Sequence, residues 1–200
     1  ALIPNGVKIY KKNDLRNLPQ PPWKDFVTKD AKILLYFGRF HKKKGLKELL
    51  DSWGEVSSKA LKHNWWLIIV GFGKDLDPRY VVNNQKLGNC IVLNPIFNEQ
   101  LKASTFLNSN AFILPSFSEG LPMSVLEAMS FRTPTLITKY CNLEGVFRNN
   151  CSIEIKPNKE NIKNALNKLF LYSEKDLKII SNNGFNFVKS NYSWEKVSQM

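Results

Sequence analysis

The chain has 200 residues, of which 43% are hydrophobic, and this is enough for one packed domain. Its longest apolar run, residues 65–70, is too short to cross a bilayer, so no membrane-spanning helix is expected. The net charge of +12 favours partners that carry phosphate or an anionic membrane face, although a lysine-rich composition explains it equally well. Three cysteines without metal-type spacing predict reduced thiols and no metal site.

In chain order, the hydrophobic pattern alternates between strands and helices. Buried strands are predicted at residues 32–37, 65–70, 91–93, 111–114, 135–137 and 151–155. Three- and four-residue spacing predicts helices at residues 46–56, 98–107 with Asn98 as the cap, 122–131, 162–170 and 177–188. Because the strands are almost wholly apolar, we predict an α/β fold: a parallel sheet of about six strands with helices on both faces.

The first thirty residues are loop-like and contain Pro19, Pro21 and Pro22. We interpret residues 1–30 as a linker from a domain outside this chain, and residues 31–200 as the folded domain. The chain begins with Ala1 and reaches recognisable motifs at once, so we interpret it as a piece of a longer protein.

Ligands of such sheets bind at the carboxyl ends of the strands, which limits the search to four loops: residues 38–45, 71–73, 94–96 and 115–127. In the first loop, Gly38 lets backbone approach a ligand, while Arg39 and Lys44 offer cationic donors that suit a diphosphate. The alternative is a solvated basic loop, which is favoured for Lys42 and Lys43. The loop lacks the Gly-Lys-Ser/Thr of nucleoside triphosphatases, and Leu76 breaks the dinucleotide fingerprint.

The last loop leaves a strand, turns at Glu119 and Gly120, and enters a helix. The amides of Gly120, Leu121 and Met123 are expected to be free at the helix start, where they attract anions.

Two carboxylates flank this turn, Glu119 before the helix and Glu127 inside it. Eight positions would separate them by about 12 Å on one helix, too far for a paired acid and base, so they are expected to address two ends of one ligand. Glu127 could instead form a capping box with Ser124, and Glu119 could be a first-turn acid favoured by the helix dipole.

These features together resemble the C-terminal domain of glycosyltransferase family four, retaining enzymes with two facing Rossmann-like domains (the GT-B fold). The resemblance runs from Pro4 to Trp194. It rests on Gly-Arg at residues 38–39, Lys-Gly at residues 44–45, and two glutamates separated by seven residues, Glu119 and Glu127.

The resemblance implies that this domain binds a nucleotide-diphosphate sugar and that the enzyme transfers a hexose with retention, without a metal or other cofactor. Arg39 and Lys44 would neutralise the diphosphate, and Glu127 would hold the ribose. Glu119 would be the catalytic residue, in contact with the transferred sugar or assisting at its anomeric carbon. The remaining binding positions are backbone amides at Gly120, Leu121 and Met123, and a base pocket near Gly71 and Ile96.

The acceptor, a saccharide or a lipid-linked saccharide, would bind the N-terminal domain outside this chain, so the fragment alone is expected to be inactive. Within this family the most frequent role is bacterial polysaccharide or glycolipid synthesis in the cytoplasm, and the basic surface could rest on the inner membrane face.

Three positions depart from the family pattern. Arg132 stands at a tight turn where glycine is usual, Asn94 replaces the glycine after the third strand, and residues 141–144 replace a glycine pair. These changes affect the expected base pocket and sugar contacts more than the diphosphate site.

Other functions remain as alternatives. The main one is a non-catalytic nucleotide-binding module, against which the intact Glu119 and Glu127 argue. A nucleic-acid partner is not expected, because no reader motif or interleaved aromatic residues accompany the basic ones. A nucleotide-sugar epimerase would need catalytic carboxylates and a histidine at other loops, and the sequence does not supply them.

Overall fold

The computed structural model describes residues 5–11 and 13–199, so Pro4, where the family resemblance begins, lies outside the described residues. Six strands are present: β1 (Lys32–Phe37), β2 (Trp65–Val70), β3 (Cys90–Leu93), β4 (Ala111–Leu114), β5 (Thr135–Thr138) and β6 (Ile153–Ile155). The α-helices are α1 (Leu46–Lys62), α2 (Pro78–Asn84), α3 (Glu99–Leu107), α4 (Met123–Ser130), α5 (Lys159–Leu169), α6 (Glu174–Tyr192) and α7 (Trp194–Val197).

The six strands form one parallel sheet in the order β3-β2-β1-β4-β5-β6. Leu34 of β1 pairs with Leu67 of β2 on one side and with Ala111 of β4 on the other. Helices cover both faces, with α1 packed against α2 and α5, and α4 packed against α3 and α6. The predicted α/β fold is confirmed. The strand order reverses between β1 and β4, and ligands of such sheets bind at this point.

The main differences from the sequence prediction are two extra helices, α2 and α7. Both are short, so neither can show a periodic apolar stripe. The sequence nevertheless carries a signal for the start of α2, which is an aspartate followed by a proline. In the structure Asp77 caps the helix by accepting from the Arg79 amide, and Pro78 occupies its first turn. Helix α1 also runs further than the predicted residues 46–56, since Ala60 continues its buried face.

Ahead of β1, several of the residues that the structure describes pack against the domain. The Val7 amide donates to the Tyr192 carbonyl at 2.7 Å, and the Trp194 amide donates to the Val7 carbonyl at 3.2 Å. Val7 and Trp23 are both buried. The chain therefore enters the domain beside the end of α6.

All three cysteines, Cys90, Cys141 and Cys151, are buried free thiols. Burial, together with a smaller effect of the nearby Glu119 carboxylate, raises the pKa of Cys141 to about 12. Within the part of the chain that the structure describes, no helix combines the length and the apolar character needed to cross a membrane.

Arg132, which stands where glycine is usual, adopts a left-handed conformation with φ of 59° after the end of α4. This costs a non-glycine residue roughly 1–2 kcal/mol. Two contacts with α6 offset the strain: Arg132 Nη1 donates to Asn182 at 2.8 Å, and the guanidinium lies 3.7 Å from the centre of the Phe185 ring.

We therefore expect Arg132→Ala, which keeps the strain and loses both contacts, to lower the free energy of unfolding by about 1–2 kcal/mol. Arg132→Gly should lose about 1 kcal/mol less, because glycine tolerates the left-handed conformation. Urea denaturation measures both, with the exposed Arg148→Ala as control. An alanine variant at least as stable as the glycine variant would contradict this explanation.

Candidate functional site

The loops after β1 and β4 meet where the strand order reverses. The Phe117 amide donates to the Lys43 carbonyl at 2.8 Å, which ties the two loops together. The Glu119 amide donates to the Tyr140 carbonyl at 3.0 Å, and this anchors the second loop to the segment after β5. Backbone contacts thus hold the basic loop, residues 38–45, next to the acidic turn at Glu119 and Gly120.

Lys44 and Glu119 form a close ion pair at this junction. The Lys44 ammonium donates to Glu119 Oε1 at 2.7 Å and to Oε2 at 2.9 Å, and the side chains are only 17% and 8% exposed. The Ser116 hydroxyl also donates to Glu119 Oε1. Since α4 begins at Met123, Glu119 lies before the helix and the first-turn interpretation is wrong.

Arg39 follows β1 in the basic loop, and a hydrogen bond from a β1 side chain fixes its backbone. The buried Tyr36 hydroxyl donates to the Arg39 carbonyl at 3.0 Å. Burial raises the pKa of Tyr36, and the Glu119 carboxylate raises it further, so the phenol keeps the proton that it donates. The Arg39 side chain is exposed and, among the described residues, its guanidinium has no hydrogen-bond partner.

A cavity of about 300 Å³ opens next to Arg39. Five of the predicted site residues line it: Gly38, Arg39, Gly71, Ile96 and Glu127. Gly71 brings the second loop against the first, because a Cβ at this position would overlap the Gly38 carbonyl oxygen.

Glu127 faces this cavity from the second turn of α4. Its Oε1 accepts a hydrogen bond from the Lys102 ammonium of α3 at 2.9 Å. The capping-box interpretation is wrong, because Pro122 occupies the cap position of α4 and Ser124 already lies inside the helix.

The amides at the start of α4 match the prediction in part. Those of Gly120 and Leu121 have no acceptor among the described residues. The prediction for Met123 is wrong, because its amide donates to the Leu121 carbonyl at 3.0 Å. Met123 instead lines a second cavity of about 140 Å³ that shares Glu127 with the first.

Six further residues line the first cavity and were not among the predicted site residues: Phe37, Phe72, Pro95, Phe97, Glu99 and Lys102. Phe72 and Phe97 are exposed, with ring centres 6.4 Å apart. A signal for these two rings existed, since each adjoins a residue already selected, Gly71 or Ile96. The sequence carries no signal for Lys102, because only the packing of α3 beside α4 brings this residue to Glu127.

Across the residues that the structure describes, no cluster of three or more His, Cys, Asp or Glu side chains is arranged to hold a metal ion. The charged groups of the site are therefore Arg39, Lys44 and Lys102 together with the carboxylates of Glu99, Glu119 and Glu127.

The sheet order, the basic loop and the two carboxylates at the reversal point define a domain of the glycosyltransferase class. Residues 21–186 match the model of the family "Glycosyl transferases group 1", and the chain belongs to this family. The site residues 38–127 all fall within the matched range.

Two curated relatives illustrate the likeness. The putative teichuronic acid biosynthesis glycosyltransferase TuaC of Bacillus subtilis is 30% identical over 128 residues, which are 64% of this chain and 30% of the relative. The lipopolysaccharide 1,2-N-acetylglucosaminetransferase of Salmonella typhimurium is 25% identical over 215 aligned positions, covering 100% of this chain and 54% of the relative. The chain thus spans between about a third and about half of the length of these relatives.

Solved structures show the same fold. The C-terminal domain of the glycosyl transferase group 1 family protein LpcC from Francisella tularensis has a TM-score of 0.77 at 21% identity, with 94% of this chain and 100% of that chain covered. The lipopolysaccharide-biosynthesis glycosyltransferase WaaG has a TM-score of 0.73 at 17% identity, with 98% and 54% covered. The present chain therefore has the fold of a GT-B C-terminal domain.

Proposed function

We propose that this chain is the donor-binding domain of a retaining hexosyltransferase that uses a nucleotide-diphosphate sugar. The observation that carries the proposal is the placement of two groups of charged residues at the carboxyl ends of β1 and β4, where the strand order reverses: Lys44 pairs with Glu119, and Arg39 and Glu127 line one cavity. A hydroxyl-rich anion needs both cations and carboxylates, and this junction holds both.

The diphosphate lies between Arg39 and Lys44, near the amides of Gly120 and Leu121. Negative charge grows on the diphosphate as the bond to the sugar breaks, and fixed cations and amides stabilise that charge without rearranging. Two protein cations supply the neutralisation that a divalent metal would otherwise provide, so transfer proceeds without a metal.

Glu119 contacts the transferred sugar. When the Lys44 ammonium turns toward the diphosphate, it frees a Glu119 oxygen to accept from a sugar hydroxyl. In the reaction, the bond from the anomeric carbon to the diphosphate oxygen breaks and its electron pair stays on that oxygen. The acceptor hydroxyl oxygen bonds to the anomeric carbon on the same face and passes its proton to the departing oxygen, which gives retention.

The nucleoside occupies the cavity beside Arg39. Glu127 accepts from the ribose hydroxyls, while Gly71 and Ile96 border the base. Phe72 and Phe97 supply exposed aromatic faces on which a base can stack.

The acceptor binds a second domain that faces this cleft, and residues 1–30 link that domain to this one. Relatives named for teichuronic acid and lipopolysaccharide synthesis favour a saccharide or lipid-linked acceptor in envelope polysaccharide or glycolipid synthesis. The enzyme works at the cytoplasmic side of the membrane, where a net charge of +12 favours contact with anionic lipid. This chain alone is inactive without the second domain.

Arg39→Ala tests the diphosphate site with little risk to the fold, because the side chain is exposed. We expect the affinity for a nucleoside diphosphate to fall by about 10- to 100-fold, the value of one or two charge-assisted hydrogen bonds. Isothermal titration calorimetry measures it, with exposed Arg148→Ala as the matched control. Unchanged affinity in Arg39→Ala would remove this residue from the site.

Turnover of a donor by the full-length protein separates a transferase from a non-catalytic binding module.

A further inference from the structure

Three charged side chains line both cavities and separate one from the other. Glu99, Lys102 and Glu127 line the cavity of about 300 Å³ on one side and the cavity of about 140 Å³ on the other. The Lys102 ammonium lies 2.9 Å from Glu99 Oε1 and 2.9 Å from Glu127 Oε1. The ammonium therefore bridges two acids, one on its own helix and one on α4.

The two ion pairs that Lys102 makes differ in burial. The Lys102 and Glu127 side chains are 20% and 22% exposed, whereas Glu99 is 70% exposed. Ion pairs in open solvent order side chains weakly, so the contact that fixes geometry is the one between Lys102 and Glu127.

Lys102 remains a cation in this setting. Its partial burial disfavours the charge, but the hydrogen bonds to Glu99 and Glu127 outweigh that effect and raise the pKa of the Lys102 ammonium. A permanent donor thus occupies one oxygen of the Glu127 carboxylate.

The other oxygen of the Glu127 carboxylate remains available to a ligand. Glu127 Oε2 makes no hydrogen bond to any described residue, and the carboxylate faces the cavity assigned to the nucleoside. A free glutamate side chain can rotate about three bonds, whereas one tied to α3 presents its open oxygen in one direction. Pre-orientation of this kind increases affinity because less side-chain freedom is lost on binding.

We propose that Lys102 is a positioning residue for ribose recognition: it holds Glu127 Oε1 so that Oε2 accepts from the ribose hydroxyls. The proposal rests on the proposed function, since it assumes that the cavity receives a nucleoside. It assigns Lys102 no contact with the reacting atoms. Its consequence is specific, because Lys102 should affect recognition of the hydroxyls and not binding in general.

The test compares adenosine, guanosine and uridine 5′-diphosphates with their 2′,3′-dideoxy forms by isothermal titration calorimetry. For the base that binds, the ratio of dissociation constants (dideoxy over ribo) measures hydroxyl recognition. We expect a ratio of at least about tenfold in the wild type, the value of a hydrogen bond to a charged group. In Lys102→Met the ratio should fall to about threefold or less.

Lys163→Met is the matched control. Lys163 also bridges a carboxylate on its own helix, Glu160 at 2.6 Å, and one on a neighbouring helix, Glu55 at 3.2 Å. Its side chain is 26% exposed, against 20% for Lys102. It lies on α5, outside both cavities, so the ratio should stay at the wild-type value. If Lys102→Met does not fold, Lys102→Gln, which is shorter by one atom and uncharged, replaces it with the same expected loss.

The outcomes separate the two proposals. A wild type that binds none of the nucleotides overturns the proposed function, and this inference with it. A wild type with the expected ratio, together with a Lys102→Met variant that keeps it, overturns the role of Lys102 alone. A loss of affinity for both nucleotides at constant ratio also overturns it, since that result means charge neutralisation without positioning.

Discussion

Lys44→Ala is expected to lower both the stability of the domain and its affinity for a nucleoside diphosphate. Glu119 is 8% exposed and takes two hydrogen bonds from Lys44. Removing one partner of a buried pair leaves an uncompensated charge, at a cost of about 3–5 kcal/mol, and we expect about 2–4 kcal/mol here because Lys44 is partly exposed. Affinity should fall at least about tenfold, since one of the two diphosphate cations is lost.

Denaturation in urea measures the loss of stability, and calorimetry well below the melting transition measures the affinity separately. Adding Glu119→Gln to Lys44→Ala should recover a large part of the stability, because the stranded charge is gone, but none of the affinity. Lys47→Ala is the control, since it breaks an exposed pair with Asp51 on α1 and should cost less than about 1 kcal/mol. A Lys44→Ala variant as stable as the wild type would show that the pair is not formed in solution.

Gly45→Ala is expected to destabilise the domain strongly, with a loss of more than about 3 kcal/mol. Gly45 has φ of 67° at the start of α1, a conformation that strains alanine by roughly 1–2 kcal/mol. A Cβ there would also overlap the carbonyl oxygen of Pro115, at the end of β4. Relief of that overlap must separate the basic loop from the acidic turn, so binding should weaken as well.

Gly88→Ala provides the comparison for Gly45→Ala. A Cβ at Gly88 meets no atom within 4 Å among the described residues. Its stability should therefore stay within about 0.5 kcal/mol of the wild type, or rise slightly. Thermal or urea denaturation of both variants decides the matter, and similar small effects at the two positions would contradict the close approach of α1 to β4.

Five of the six strands were predictable from the sequence because each is a mainly apolar run with glycine, proline or asparagine next to at least one end. The sixth, β6, is only three residues long and contains Glu154. The rule that ligands bind at carboxyl ends of parallel strands then led from these runs to the loops at residues 38–45 and 115–127. Lys44 and Glu119 were both selected in this way. Their direct ion pair was not foreseen, because it depends on how far two loops approach each other.

The errors near α4 have a common cause, which is the position of its first turn. The sequence left residue 122 or 124 as the start, and the capping-box and free-amide interpretations both depended on that choice. In the structure Pro122 is the cap and α4 begins at Met123, so Ser124 lies inside the helix and the Met123 amide is already bonded. Helix boundaries depend on local hydrogen bonds that spacing alone does not resolve.

Lys102 shows which part of the site could not be predicted from the sequence. It lies in α3, more than twenty positions before Glu127, and the periodic pattern of α3 marks it only as a polar position. The packing of α3 beside α4 sets its contact with the carboxylate. Contacts of this kind come from tertiary structure and leave no local sequence signal.

The most direct test of the diphosphate site is to compare a nucleoside diphosphate with the corresponding monophosphate by calorimetry on the wild-type chain, with a chelator present. If Arg39 and Lys44 hold the second phosphate, the diphosphate should bind at least about tenfold more tightly, and without any divalent cation. Equal affinities for the two nucleotides, or binding that requires a divalent cation, would contradict the account.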